Sequence, residues 1–586
     1  MGWPGGVIIF PTMAQKKPIE LLHLHTYFFF PFSIDKITVV ENHRDLWAKY
    51  NHWIDGLDEW IAAHHTGPQG PLRKHLGYWR RDPYARFDME SPAYQDMVFF
   101  HPYVRRVFFD TGEVAKKTEE REALLCCFTL PIPADKKLWF YAEDVKGRSA
   151  SVQITDLRLF LFANGIGILS VGVEAFHLPA SDALWINEAF RKVYPSSGRQ
   201  IREGRTPSKM QLIVEKEGHR QIIAEEDIKK GALIGYLPPL AGTISSLLYF
   251  CDYSLQEFEP VLDERMLVYT YACLNPDSVP ANFAHSETYK IFLSRLLYVD
   301  LDGESYRYDP DFTRKQLEHH LYHRWAHTGT YYGYTSYSNI TATIGAFDCD
   351  QHTLREGFLI HRMFSTRYYL MALIALFYRA TLLDFAERTA LVSKRIYRDW
   401  EDGKLSKGNV RLASDLRSEF LHFSNYWYFD ELANKEEEFE HFIMHCRALR
   451  IQTVKNEIDQ EIEKLNTSLQ SYAASRNTDA VNRLAILSLL IGAGAILTGF
   501  FGMNFGRNFE RIFFQPDAHT AAYHYGAVAI VSVLVLGVLA FGIYMVVSNW
   551  SDYRDVLVLR GRSRRGQAES SLKRGPAEWP SDEEFE

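Results

Sequence analysis

Leu484–Met503, LAILSLLIGAGAILTGFFGM, holds twenty residues without one ionisable side chain, and Asn504 follows it. At 1.5 Å per residue a helix of that length is ~30 Å long, the thickness of a bilayer's hydrocarbon core. A second uncharged run, Gly526–Val547, follows after a loop of roughly twenty residues. Two buried core helices are the competing reading, but core helices rarely run so far without a charge. The sequence therefore predicts a membrane protein with two C-terminal transmembrane helices and a large soluble region before them.

The flanks of these runs set the expected orientation. Arg476 and Arg483 precede the first, and Arg554, Arg560, Arg562, Arg564 and Arg565 follow the second. The intervening loop sets Arg507 and Arg511 against Glu510 and Asp517. The excess of arginine at the outer flanks places both termini in the cytoplasm, in the cytoplasmic (inner) membrane. No secretory signal fits Gly6–Pro11, which lacks a preceding basic region, and Tyr27–Phe32 is too short to span. Over 586 residues the formal net charge is −8, which gives no support to nucleic-acid binding. Cys126, Cys127, Cys251, Cys273, Cys349 and Cys446 form no CxxC pair and read as reduced, buried thiols.

Upstream, residues 1–355 read as a cytosolic α/β (α+β) domain with an extra N-terminal region. A helix is expected around Asp45–Ala63, and strands at Leu124–Leu130, Leu138–Ala142, Met266–Cys273 and Thr330–Ile344. Leu157–Phe162 and Ile166–Ala175 flank Ala163-Asn164-Gly165, and Asn-Gly favours a tight hairpin turn. Ser181–Val193 reads as a helix. Residues 356–482 read as a long-helix stalk. Within it Phe364–Tyr397 is amphipathic, and its ten-residue apolar run Tyr369–Tyr378 is too short for a third span. No proline or glycine lies between Gly408 and Gly492, so one rod is expected from about Arg411 to Met503. Its apolar seam is Ile451, Val454, Ile458, Ile462, Leu465, Leu469 and Tyr472. The remaining expected boundaries are a first transmembrane helix at 483–504, an external loop at 505–525, a second transmembrane helix at 526–549 and a disordered cytosolic tail at 550–586.

Gly502-Met503-Asn504 closes the first run. A long helix, an uncharged span ending in Gly-Met-Asn, a short loop, a second span and a basic tail together resemble the CorA-type magnesium channel family. Thr498–Phe505, TGFFGMNF, is similar to that family's consensus, with an aromatic before the tripeptide and a Phe after it. The detailed resemblance covers about 477–553. It implies a homopentamer in which five first helices line a pore and five second helices surround them. It also implies passive transport of Mg2+, and often Co2+ and Ni2+, with no cofactor. Gly502, Met503 and Asn504 would then form the selectivity filter. Two departures stand out: Ala493 lies where members often carry a mid-span proline, and the loop 505–525 lacks the usual acidic excess.

The chemistry of the residues runs in the same direction. Magnesium sheds water reluctantly, so neutral oxygens around the hydrated ion suit it better than a tight carboxylate cage. Asn504 supplies an amide oxygen, and carbonyls at a helix C-terminus add partial negative charge. A plain helix C-cap is the alternative for Asn504. Ser488, Gly492, Ala495, Gly499 and Gly502 recur at steps of four, three, four and three, either as pore lining or as a stripe for close helix packing. Leu484 and Val481 continue the stripe inward as apolar rings able to gate by excluding water, and Thr478 begins a wider vestibule.

His319, His323 and His327 recur at four-residue steps, beside His320 and Glu318, on an expected helix. They are either a polar face or a cytosolic transition-metal site. Asp348-Cys349-Asp350 with His352 reads as turn chemistry. Glu457, Asp459, Glu461 and Glu463 are candidates for regulatory magnesium or a solvated rod face. There is no nucleophile–base motif and no phosphate-binding glycine loop, so the chain is not expected to be an enzyme. Two functional alternatives stay open: a two-span sensor or scaffold with a vestigial pore, and Zn2+ transport by the same fold.

Overall fold

The computed structural model describes residues 18–34, 70–83, 98–110, 124–194, 206–227, most of 240–345, most of 356–502 and scattered residues between 525 and 544. The expected helix at Asp45–Ala63, the Asp348–His352 cluster, Cys349 and the tail lie outside them. Two compact units emerge, Met1–Asn466 and Thr467–Glu586.

The first unit is built on a mixed sheet. Its strands are β1 (Glu20–Ile34), β2 (Arg80–Arg81), β3 (Leu125–Thr129), β4 (Lys136–Glu143), β5 (Ser149–Phe162), β6 (Ile166–Pro179) and β7 (Lys209–Lys216). They continue as β8 (His219–Asp227), β9 (Phe258–Pro260), β10 (Leu267–Leu274), β11 (Leu321–Tyr322), β12 (Tyr331–Tyr334) and β13 (Ser338–Ile344). The main order is β11-β12-β13-β10-β1-β6-β5-β4-β7-β8. β10 and β13 run parallel, and the other described neighbours run antiparallel. The Asn-Gly hairpin joins β5 to β6 as the sequence predicts. Gly165 sits at φ 88°, its N–H donates to the Phe162 carbonyl at 2.9 Å, and the Asn164 side chain accepts from the Ile166 N–H. The run expected at Thr330–Ile344 is two strands, because Thr335 turns the chain and its N–H donates to the Ser338 carbonyl.

Helices cover both faces. The longer described helices of the chain are α1 (Ala180–Phe190), α2 (Glu287–Tyr298), α3 (Pro310–His320), α4 (Glu356–Met363), α5 (Tyr369–Glu401), α6 (Lys407–His422), α7 (Glu436–Ala448) and α8 (Ile451–Gly502). Side chains on a strand alternate between faces. On β1 this sends Thr26 to Asn187 of α1 at 2.9 Å and Phe28 towards Phe190. The alternate residues His23, His25, Tyr27 and Phe29 face Phe364, Tyr369 and His361 on the other side. Within the region expected to be a stalk, α4 and α5 therefore pack on the sheet. α5 lies on the sheet, with its Tyr369 hydroxyl on Ser170 at 2.9 Å and Thr381 on Asn164 at 2.9 Å. The helix Leu359–Glu401 is long and apolar enough to cross a membrane, but Tyr369–Tyr378 is buried throughout against this sheet.

The single rod expected from Arg411 is corrected in two places. A π-helical turn at Phe423–Trp427 ends α6, and the chain leaves helix until Glu436. There the Phe429 N–H donates to the buried Tyr378 hydroxyl at 2.9 Å, so a side chain replaces the helical acceptor. A second break falls at Leu449–Arg450, where Arg450 adopts φ 53° and α8 begins immediately after. Neither break carries a glycine or proline.

Close packing gives a direct stability test. A Cβ on Gly167 would collide with the ring of Phe32, which is fully buried. Gly167→Ala is expected to cost about 1–3 kcal/mol, because the ring has nowhere to retreat. Urea unfolding of the full chain in detergent, with and without the substitution, measures the difference.

Candidate functional site

α8 changes character along its length. Ile451, Ile458 and Ile462 are buried in the core with Val454 packed against it, and Leu465, Leu469 and Tyr472 are half-buried. Glu457, Asp459, Glu461 and Glu463 are exposed, and Glu463 meets Arg417 at 3.3 Å. From Val481 onward large apolar side chains stand in the open: Leu489 is 74% exposed and Ile491 66%. This contrasts with the apolar run Tyr369–Tyr378 of α5, which is buried throughout.

The stripe residues Thr478, Val481, Leu484, Ser488, Gly492, Ala495 and Gly499 all lie on this helix and are exposed. At 100° per residue, Val481 through Gly502 fall within an arc of about 80°. Ile486, Leu487, Leu489 and Leu490 fall outside it. From Ser488 onward this arc holds only serine, glycine and alanine. A Cβ on Gly492 or Gly499 would touch nothing within the chain, so these glycines leave room for something beyond it. The hydroxyls of Thr478 and Thr498 donate to carbonyls one turn back, Ala474 and Gly494, both at 3.0 Å. Each hydroxyl proton thereby finds its acceptor within the helix. The helix continues to Gly502; Met503, Asn504 and the loop to 524 lie outside the described residues. Described residues of the second run, including Ile530, Val533 and Leu536, are helical and exposed.

The His319–His323–His327 pattern does not survive folding as a helical face. α3 ends at His320, because Leu321 and Tyr322 are drawn into the sheet edge opposite Gly333 and Tyr332. His319 meets the Arg447 guanidinium at 3.0 Å, and His320 meets the Tyr334 carbonyl at 2.9 Å. His323 and His327 fall on the exposed turn beyond. Among the described residues these three do not form a group able to share an ion.

Another group does, and the sequence reading missed it. His23 and His25 lie two apart on β1 and so share a face. β6 places Glu174 directly opposite His25. α4 brings His361 over the same spot. The potential ligand atoms of His23, His25, Glu174 and His361 all lie within 4.8 Å of one another. Burial lowers the His25 pKa to about 3 and that of His361 to about 4, so both rings are neutral at pH 7. The available signal was His-Leu-His at strand spacing, hidden in a run that alternates with nothing polar.

Residues 430–549 match the family model described as CorA-like Mg2+ transporter protein. No curated protein and no solved structure matches the chain. The chain thus carries a CorA-like Mg2+ transporter domain in its C-terminal region, covering α7, α8 and the second apolar run. That match supports a role in divalent-cation transport for this region.

Proposed function

We propose that the chain is a passive divalent-cation channel whose first cargo is Mg2+. Five copies assemble around one axis. The small-residue side of α8 lines the conduit, with Val481 and Leu484 as apolar gating rings and Thr478 at the inner vestibule. Gly502, Met503 and Asn504 form the outer mouth, with the Asn504 amides towards a hydrated ion. The first span is 483–504 and the second 526–549, with both termini in the cytoplasm. One observation carries this reading: the family match at 430–549 coincides with the uncharged helix whose bulky and small sides are both exposed in the single chain. Such a surface in water would be an aggregation hazard, whereas lipid and neighbouring copies cover it.

The test is magnesium uptake by vesicles containing the purified chain, under an inside-negative potential. Uptake well above protein-free vesicles, from particles whose mass in detergent is five chains, is the expected result. No uptake above background would instead leave a two-span sensor or scaffold. Uptake of Zn2+ in preference to Mg2+ would assign the other cargo.

A further inference from the structure

We propose that His23, His25, His361 and Glu174 form a four-coordinate site for a transition-metal cation of the zinc, cobalt or nickel kind. The site lies in the sheet domain and is independent of any pore.

Geometry carries the assignment. His25 Nδ1 lies 2.9 Å from His361 Nε2 and 3.4 Å from Glu174 Oε1. His23 Nε2 lies 3.8 Å from Glu174 Oε2. Tetrahedral bonds of 2.0–2.1 Å put neighbouring ligand atoms about 3.3 Å apart. These three separations bracket that edge length, the two to Glu174 reaching its two different oxygens, and one ligand atom from each residue lies within 4.8 Å of the others. Three elements distant in sequence supply the four ligands, so the cluster is a product of the fold and not of local chain geometry.

The electrostatics of the cluster favour a cation at its centre. A carboxylate and imidazole nitrogens converge on one small volume. One proton on His25 Nδ1 can serve either His361 or Glu174, not both. His25 Nε2 is buried with no hydrogen-bond partner, so ordinary hydrogen bonding does not anchor that side of the ring. Neutral imidazole is the form that ligates metal. Nitrogen donors suit zinc, cobalt and nickel, whereas Mg2+ prefers oxygen in octahedral array. Access is open on one side: the Glu174 side chain is 22% exposed and His361 half-buried.

Four protein ligands leave no open coordination position, which marks a structural or sensing site rather than a catalytic one. The bound ion would tie α4, and the long α5 that continues from it, to the centre of the sheet.

Cobalt is the probe. The full chain in detergent is stripped with chelator and titrated with Co2+, reading visible absorption and metal per chain. Tetrahedral Co2+ absorbs far more strongly than hydrated octahedral Co2+, so ions in a pore do not mimic the signal. The expected result is one intense tetrahedral band that saturates at one ion per chain, is displaced by Zn2+ and is untouched by excess Mg2+. His361→Gln, on the half-exposed helix, and Glu174→Gln are each expected to weaken Co2+ binding at least tenfold, with unchanged circular dichroism. Absence of the band in the parent chain overturns the site. So does a band that persists unchanged in both variants, or that Mg2+ displaces. Flux measurements are not involved, so this test and the transport test fail separately.

Discussion

Vesicles carrying Asn504→Ala are expected to take up magnesium about a hundredfold more slowly than vesicles carrying the parent chain. A ring of five amides would contribute five hydrogen bonds to the water shell of one dication. Bonds of this type contribute about 0.5–1.5 kcal/mol each net, so losing all five removes at least 2.5 kcal/mol, close to two powers of ten. The effect is large because symmetry multiplies one substitution. Asn504→Gln keeps the amide but moves it outward by a methylene, and should restore part of the flux. If alanine at 504 leaves uptake and ion preference unchanged, the amide ring has no role at the mouth. The non-acidic loop sharpens the expectation. With Arg507 and Arg511 offsetting Glu510 and Asp517, little general attraction for cations remains to compensate for a lost ring.

The CorA-like stretch was readable because the signals there are compositional. An uncharged run of twenty residues and an apolar seam at helical spacing need no tertiary information. The β5–β6 hairpin was equally plain, since Asn164-Gly165 encodes its own turn. β1 was not legible. It is the strand paired with both β10 and β6, covered on both faces, so it reads as an aromatic run with no alternation. Missing it hid the histidine cluster, because strand spacing is what puts His23 and His25 on one side.

The two helix breaks were invisible for a different reason. At Phe429 the backbone is satisfied by Tyr378, some fifty residues earlier, and no local residue type announces that partner. His323 and His327 were misplaced by the same kind of tertiary override. A polar four-residue repeat continued on paper while Leu321 was drawn into the sheet edge and buried. Periodicity reports what a helix would present, not where packing stops it.

Lowering the pH from 7.5 to 5.5 is expected to cost the sheet unit about 3 kcal/mol through two helix-layer histidines alone. His445 on α7 is buried beneath Tyr334 and Asn339, and burial, with His441 nearby, lowers its pKa to about 3. His422 on α6 packs on Trp427, and burial lowers its pKa to about 4, against the pull of Glu419. Both therefore stay neutral in the fold, whereas an unfolded chain protonates them near pH 6.5. Above that value the two states bind protons alike and neither residue contributes. Below it the unfolded state takes up protons that the folded state does not, and stability falls until about pH 4 for His422 and pH 3 for His445. At pH 5.5 each contributes about 1.4 kcal/mol of the loss. Urea unfolding of the full chain in detergent at the two pH values measures the total drop, to which other buried histidines add. His422→Gln with His445→Gln should shrink that drop by about 3 kcal/mol, whatever the pair does to stability at pH 7.5. An undiminished drop in the double variant would mean that these rings already protonate freely within the fold. The surroundings of His422 on α6 and of His445 on α7 would then be far wetter than their burial at 6% and 2% exposure implies.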